Sequence, residues 1–451
     1  MLTDTVTVSA AGAVTGPAGV IENAPLQDKN TFHVKAQSRW FGFFKTAEDL
    51  KALFADTRFK DVPKFVLGGG SNLLLTDNYP GLMLQSVDGS AEVVDENDGY
   101  WFVRVGAGAD WTRFVDMTLE AGMQGLENLA LIPGTAGGAV VQNIGAYGLE
   151  IAERVSDVEC FDPATGEPLT LTADDCDYGY RTSVFKTKRP DLIVLSVTLA
   201  LPKTFEPRTA YKELAAVFGE RVPADANELA EAVKSVRRKK LPDPKVLGNA
   251  GSFFKNPVVT KVKMVHLLED DPTLVAYPLA GGRAKLAAGR LIDACGMKGK
   301  RVGDAGVSEN HSLVLVNYGG ASGADILELA RKVRQAVKRR YGVELTPEPV
   351  FLPAAGFATL ALCAGFASAA LAVFTGSVFL AAASRGFSSL TTPALRTGFS
   401  SFFAADAGVS EPAARLAEAV TGLARESDFA AESTADCEAG GSRKFFAASS
   451  V

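Results

Sequence analysis

Phe65-Val-Leu-Gly-Gly-Gly-Ser-Asn72-Leu-Leu-Leu75 joins two short apolar runs through three consecutive glycines and a Ser-Asn pair. Apolar runs interrupted in this way read as a strand, a tight turn and a second strand. Glycines let the backbone turn sharply and bring its N–H groups close to an anion. Ser71 and Asn72 add side-chain hydrogen bonds, so the turn suits a phosphate. The GxGxxG spacing of a dinucleotide fingerprint is missing, and no P-loop Lys-Ser/Thr follows. A purely structural hairpin is the competing reading.

Working outward, residues 64–67, 73–75, 82–85 and 101–105 are β-prone runs separated by Gly, Asn, Asp and Pro, which predicts a sheet in the first third. Residues 110–121 read as a helix, 156–161 and 192–201 as strands, and 225–240 and 322–341 as helices. In the last of these Ile326, Leu329, Ala330, Val333, Ala336 and Val337 form one apolar stripe. The sum is an α+β protein, and 451 residues imply more than one lobe. With 47% hydrophobic and 22% charged residues, wholly disordered, collagenous and coiled-coil chains are excluded.

The net charge of -6 argues against a nucleic-acid partner, and the basic runs at 234–240 and 331–340 read as solvated helix faces. Cys160, Cys176, Cys295, Cys363 and Cys437 are scattered without a CxxC pair, so neither a disulfide framework nor a metal site is indicated and a reducing compartment is expected. The early Asp4 and the lack of a basic leader or of a continuous apolar stretch before Pro25 argue against a secretory signal. After Pro353 the composition shifts: residues 354–451 hold 27 Ala and 11 of the 27 Phe but one Lys. The 36 uncharged residues between Glu348 and Arg385 exceed the roughly 20 that a membrane helix needs. A noncatalytic extension of Ala, Gly and Ser would look similar.

Two further segments carry chemistry. Gly125-Leu-Glu-Asn-Leu-Ala-Leu-Ile-Pro-Gly134-Thr-Ala-Gly-Gly138-Ala-Val-Val-Gln-Asn-Ile-Gly145-Ala-Tyr-Gly148 has six glycines in an otherwise apolar run. Buried irregular backbone must find partners for its polar groups. A long cofactor with a diphosphate and a polar ring would supply them, and neighbouring protein is the alternative. Asn249-Ala-Gly-Ser252-Phe-Phe-Lys-Asn256 sets a serine hydroxyl against bulky aromatics, with Lys240, Lys245 and Lys255 near in sequence. It does not match GxSxG, and with only His33, His266 and His311 available a Ser-His-Asp hydrolase is poorly supported.

Together with Gly179-Tyr-Arg181-Thr-Ser-Val-Phe-Lys186, Lys285-Leu-Ala-Ala-Gly289-Arg-Leu-Ile-Asp293 and Thr346-Pro-Glu348-Pro-Val-Phe, these segments resemble, in order, the UDP-N-acetylenolpyruvoylglucosamine reductase family. Ala210-Tyr211-Lys212 resembles the type I branch, in which a tyrosine loop closes over the substrate. The resemblance implies a vanillyl-alcohol-oxidase-type FAD-binding fold with a C-terminal α+β substrate domain. After an extension at 1–23, the implied lobes are 24–88 (completed by 346–353), 89–210 and 211–345, and the 354–451 tail has no counterpart.

By the same resemblance FAD is held noncovalently by Gly68, Gly69, Gly70, Ser71, Asn72, Pro133, Gly134, Gly137, Gly138, Asn143 and Gly145. NADPH reduces it, and hydride passes to the enolpyruvyl carbon of UDP-N-acetylglucosamine enolpyruvate to make UDP-N-acetylmuramate for peptidoglycan. Ser252 matches the proton donor, and Arg181 and Glu348 match the other catalytic positions. An arginine can fork onto the substrate carboxylate, whereas a glutamate sharing its proton requires a raised pKa. Tyr211, Lys240 and Asn256 match contacts to the diphosphate and uridine, and His311 stands where some members carry glutamine. Val140 replaces a common proline and Thr346 a common acid, which puts local geometry in doubt.

The expected state is a cytoplasmic monomer. A membrane helix starting just after Glu348 would have to leave straight from the active-site lobe, which weakens the anchor reading. Two alternatives stay open: another flavin oxidase of this fold, or a catalytically dead scaffold tethered by the tail. Neither glycine-rich segment contains His or Cys for covalent flavin attachment. Acid precipitation is therefore expected to release all yellow colour into the supernatant, and colour kept in the pellet would refute noncovalent binding.

Overall fold

The computed structural model describes residues 19–353. The Ala- and Phe-rich tail, with its membrane-span reading, lies outside the described residues. Among the described residues no helix is long and apolar enough to cross a membrane.

The first sheet orders its strands Ile21–Pro25, Gln37–Phe44, Tyr79–Ser86 and Lys64–Val66. The first pair is antiparallel and the others are parallel. Helix Ala47–Ala55 is started by a reciprocal cap between Thr46 and Asp49, and buries Leu50 and Leu53 with Trp40, Phe44, Phe59, Leu82 and Leu84.

The glycine turn is not a hairpin. It leaves Lys64–Val66 and enters Leu73–Leu75, whose partner is the parallel strand Val350–Leu352 from the far end of the described chain. Tyr100–Gly106 lies in yet another sheet. The single sheet expected in the first third is therefore corrected to strands of three sheets. Short apolar runs specify strand but not partner, because pairing is decided by burial against distant segments.

The second sheet is antiparallel, in the order Glu167–Thr172, Val155–Asp162, Ile193–Pro202, Tyr100–Gly106, Ala91–Glu96. Its register shifts between Glu159 and Cys160, which pair with Ser196 and Val194 and leave Leu195 between them. One extra residue reverses the side-chain alternation. Ile193 and Leu195 accordingly pack into the first core, while Val197, Leu199 and Leu201 pack into the second. One strand thus serves two cores.

Helices Trp111–Glu120 and Ala226–Lys240 begin at the expected acids: Asp110 accepts from Arg113 N and Asp225 from Glu228 N. Leu214 and Phe218 of helix Lys212–Phe218, with Leu229, Val233 and Val236 of Ala226–Lys240, are buried in the second core. By packing, these helices go with the second lobe, although the sequence grouped them with the third.

The third lobe has a sheet ordered Gly248–Ser252, Val314–Asn317, Ala305–Val307, Arg301–Val302 and a smaller one ordered Val258–Thr260, Arg283–Leu286, Ala276–Leu279. Helix Gly323–Tyr341 opens with a capping box between Ser322 and Asp325, and its stripe buries Ile326, Leu329, Ala330, Val333 and Val337.

Gly323 is where this helix meets the first lobe: a Cβ there would lie 1.7 Å from Leu75 O and 2.9 Å from Thr76 Cα. Both neighbours are backbone, so neither can rotate away. Gly323→Ala should cost about 1–3 kcal/mol as overpacking and lower the calorimetric unfolding temperature. An unchanged transition would show that the contact is loose in solution.

Candidate active site

Arg181 holds a left-handed backbone conformation, φ 56°, which a non-glycine residue keeps only where its surroundings enforce it. Its Nη2 donates to Gly145 O at 2.9 Å and its Nη1 to Asn143 O at 3.5 Å, anchoring the guanidinium at the end of the short helix Ala136–Gln142. Its Nε lies 3.2 Å from Glu348 Oε1, an ion pair without hydrogen-bond alignment. The side chains are 26% and 18% exposed, so water screens the pair only in part.

Ser252 ends the strand Gly248–Ser252, opposite Val314. Beyond it the chain runs antiparallel to 346–348: Glu348 N donates to Phe253 O and Lys255 N to Thr346 O, both at 2.9 Å, with a bridge between Phe254 and Pro347. Ser252 and Glu348 therefore sit on adjoining backbone. Phe253 and Phe254 are fully buried, ring centroids 5.1 Å apart, and form the apolar wall after the serine.

The two glycine-rich turns abut. A Cβ on Gly69 would lie 2.8 Å from Gly134 Cα, and Gly134 has φ 137°, a region open to glycine alone. Gly137 is pressed against Ala107, 2.8 Å from a built Cβ, and the N–H of Gly138 is taken by Thr135 Oγ1.

The polar side chains expected here brace the protein. Ser71 Oγ donates to Pro133 O at 2.8 Å. Asn72 Nδ2 reaches Gln142 Oε1 at 3.3 Å and Glu348 O at 3.4 Å. Fully buried Asn143 donates to Glu150 Oε2 and Gly179 O, and its Oδ1 accepts from Ala152 N. The glycines let the two turns approach each other closely. Gly68 O is already bonded by Gln85 Nε2, which also accepts at its Oε1 from the half-buried Lys29.

Of the residues expected to meet the substrate's far end, Tyr211 and Lys240 flank helices Lys212–Phe218 and Ala226–Lys240, and Asn256 lies apart from them. Tyr211, half exposed, lies edge-on to Tyr147 at 5.3 Å and lines an open 570 Å³ cleft with Gly148 and residues 207–210. Arg208 anchors that loop through Gly148 O and Glu153. Lys240 is ion-paired with Glu213. Burial pushes the His311 pKa down, helped by Lys240 and Lys298 and opposed by Glu213, which puts the imidazole in the neighbourhood of that pair. Asn256 Oδ1 accepts from Ala288 N at 2.9 Å.

Several residues without an assigned role also belong to this region. Lys186 Nζ donates to Gln142 Oε1 at 2.6 Å and to Arg181 O at 2.9 Å. Lys285 Nζ lies 5.1 Å from the Tyr180 ring centroid. Arg237, whose pKa burial lowers, donates from Nε to Leu131 O. Lys186 and Gln142 lie inside the informative segments, but no local pattern marks them. Their importance comes from contacts between segments.

Family models match in two places: the FAD binding domain over residues 41–172, and the C-terminal domain of UDP-N-acetylenolpyruvoylglucosamine reductase over residues 243–352. A UDP-N-acetylenolpyruvoylglucosamine reductase of Paraburkholderia phymatum is 48% identical over 338 residues, 74% of this chain and 97% of the relative. The chain belongs to the UDP-N-acetylenolpyruvoylglucosamine reductase family. A Burkholderia vietnamiensis relative of the same name is 46% identical over 74% of this chain and 98% of its own length. The solved reductase from Thermus caldophilus superimposes with a TM-score of 0.52 at 29% identity, covering 75% of this chain and 99% of that one.

The chain accordingly combines an FAD-binding domain with the α+β C-terminal domain of the reductase family, and the protein is an FAD-dependent oxidoreductase. The abutting turns fit the cofactor, because a groove that a single Cβ would fill suits a flat, anionic ligand held by backbone. Gly69→Ala should force the turns apart at a cost of about 1–3 kcal/mol, which is about 5- to 150-fold in FAD dissociation constant. Fluorimetric titration measures it, with Gly99→Ala, 3.8 Å from its nearest atom, as control. Equal affinity in the two variants would remove Gly69 from the cofactor groove.

Proposed function

We infer that this chain reduces UDP-N-acetylglucosamine enolpyruvate to UDP-N-acetylmuramate with NADPH, and that Arg181, Ser252 and Glu348 are its catalytic residues. The convergence of Arg181 and Glu348, 3.2 Å apart, beside the segment carrying Ser252 is the observation that carries the assignment.

When bound, FAD supplies the hydride chemistry, taking a hydride from NADPH and passing it to the enolpyruvyl carbon. The protein must then manage the negative charge and the proton. Arg181, held by Gly145 O and Asn143 O, keeps a buried Nε that no hydrogen bond uses. A substrate carboxylate can take that donor, and the guanidinium stabilises the enolate charge as it develops. Glu348 opposite orients the guanidinium. The Ser252 hydroxyl donates its proton to the carbon next to the hydride acceptor. A serine hydroxyl is a weak acid, so this step needs a strongly basic carbon and nearby cations to stabilise the alkoxide. That role is assigned to Arg181 and to Lys255, three residues beyond Ser252 in the sequence.

The anionic diphosphate and uridine are assigned to Tyr211, Lys240, Asn256 and His311. The exposed Tyr211 on its loop supports a side chain that closes over a ligand, and Lys240 must exchange Glu213 for phosphate oxygens. The glycine turns are assigned to FAD, mainly through their backbone. The lobes are proposed as 24–88 with 346–353, 89–240 and 241–345, the middle limit moved by the packing of the two helices. The working unit is proposed to be a monomer. The free, buried thiols of Cys160 and Cys176 agree with a cytoplasmic setting.

Ser252 separates the two half-reactions. Flavin reduction by NADPH needs no proton from it, so Ser252→Ala should leave that step near normal. Reoxidation by the enolpyruvyl sugar should slow by about 100- to 10,000-fold, the usual loss of a positioned acid. Ser252→Cys should recover part of the rate, because a thiol is the stronger acid. Stopped-flow measurement of each half decides, and equal slowing of both would make Ser252 a binding or folding element.

A further inference from the structure

Both catalytic charged groups stand on backbone that needs support. Arg181 has a left-handed φ in a loop, and Glu348 lies in the stretch between the ladder at 253–255 and the strand Val350–Leu352. A continuous polar bridge joins their two main chains. From Arg181 O it runs to Lys186 Nζ at 2.9 Å, on to Gln142 Oε1 at 2.6 Å, then to Asn72 Nδ2 at 3.3 Å, and ends at Glu348 O at 3.4 Å. Lys186 and Asn72 donate at each link, and Gln142 accepts from both sides. The bridge spans four segments: the one-turn helix Val184–Lys186, the end of Ala136–Gln142, the glycine turn and the returning C-terminal stretch.

We propose that Lys186 is a positioning residue for the catalytic pair. Through Gln142 and Asn72 it sets the Arg181 main chain relative to that of Glu348, and so the placement of guanidinium and carboxylate around the substrate's carboxylate. The inference rests on the roles given above to Arg181 and Glu348. Lys186 is half-buried, and neither of these hydrogen bonds goes to a carboxylate. Burial, with Lys255 and Arg181 close by and Glu348 opposing, pushes its pKa down to about 8. Keeping a buried cation on two neutral oxygens is costly for a structural role that an uncharged side chain could fill. As a charged donor it holds the Arg181 carbonyl more strongly than a neutral one would.

The test uses flavin-loaded enzyme and the separated half-reactions. A misplacement of about 1 Å costs around 100-fold where geometry limits the rate. Lys186→Met should therefore slow reoxidation by the enolpyruvyl sugar by about that factor, while flavin reduction by NADPH and the visible flavin spectrum stay as in the parent. Gln142→Leu should do the same. The double variant should be no slower than either single one, because both cut the same bridge. Gln142→Glu, which keeps the acceptor, should stay near the parent rate.

The ammonium form predominates below pH about 8 and is lost above it. Parental reoxidation should fall as pH rises through that value, and Lys186→Met should lack that limb. Additive losses in the double variant, equal slowing of both half-reactions, or a pH limb unchanged in Lys186→Met would overturn the proposal. If Lys186→Met fails to fold, the contrast of Gln142→Leu with Gln142→Glu still decides: equal rates refute the bridge. Turnover of the parent enzyme with the enolpyruvyl sugar tests the function itself, so the two can fail separately.

Discussion

The parallel pairing of Val350–Leu352 with Leu73–Leu75 is the constraint on which the site depends. Closing a loop of that length costs conformational entropy, although the cost rises only logarithmically with length. The pairing is held by burial: Leu73, Leu74 and Leu75 are almost wholly withdrawn from water, and Phe351 packs 6.1 Å from Phe253. Glu348 lies just before this strand and just after the segment paired with 254–255, so it is gripped from both sides. Without the closure, the carboxylate would have no fixed relation to Arg181 or Ser252.

Charge is arranged around that carboxylate. Arg181 faces Glu348 directly, and Lys255 stands close enough to Lys186 to help lower its pKa. Around Glu348 the neighbouring cations Arg181, Lys186 and Lys255 would favour an anionic ligand. Fixed cations in partly buried surroundings act more strongly than the same groups in water. The expense appears in the protein itself, as an arginine in a strained backbone conformation and a lysine whose proton is held weakly.

Side chains and main chain divide the work at the glycine turns. Ser71, Asn72 and Asn143 spend their hydrogen bonds on Pro133, Gln142, Glu348, Glu150 and Gly179, stiffening the cradle. The glycines leave room for a ligand to approach the backbone. These polar residues beside the glycine turns help to fix the shape that the backbone presents.

Local features were legible in the sequence. Asp110, Asp225 and Ser322 begin helices, because a side-chain acceptor at that position satisfies free N–H groups of the first turn. The apolar stripe from Ile326 to Val337 is buried because its period matches the helix. The glycines, Arg181, Ser252 and Glu348 were identifiable as residue types in motifs. Tertiary structure alone decided which sheet received Leu73–Leu75, which way Ile193–Pro202 turned its side chains after the irregularity at Leu195, and that the helices within 212–240 pack on the second core. It also brought Lys186 and Gln142 between Arg181 and Glu348. Capping and periodicity act over a few residues and are written in local order. Strand partners and polar bridges depend on burial summed over segments far apart in the chain, and a short apolar run or a single lysine carries no mark of the partner it will find.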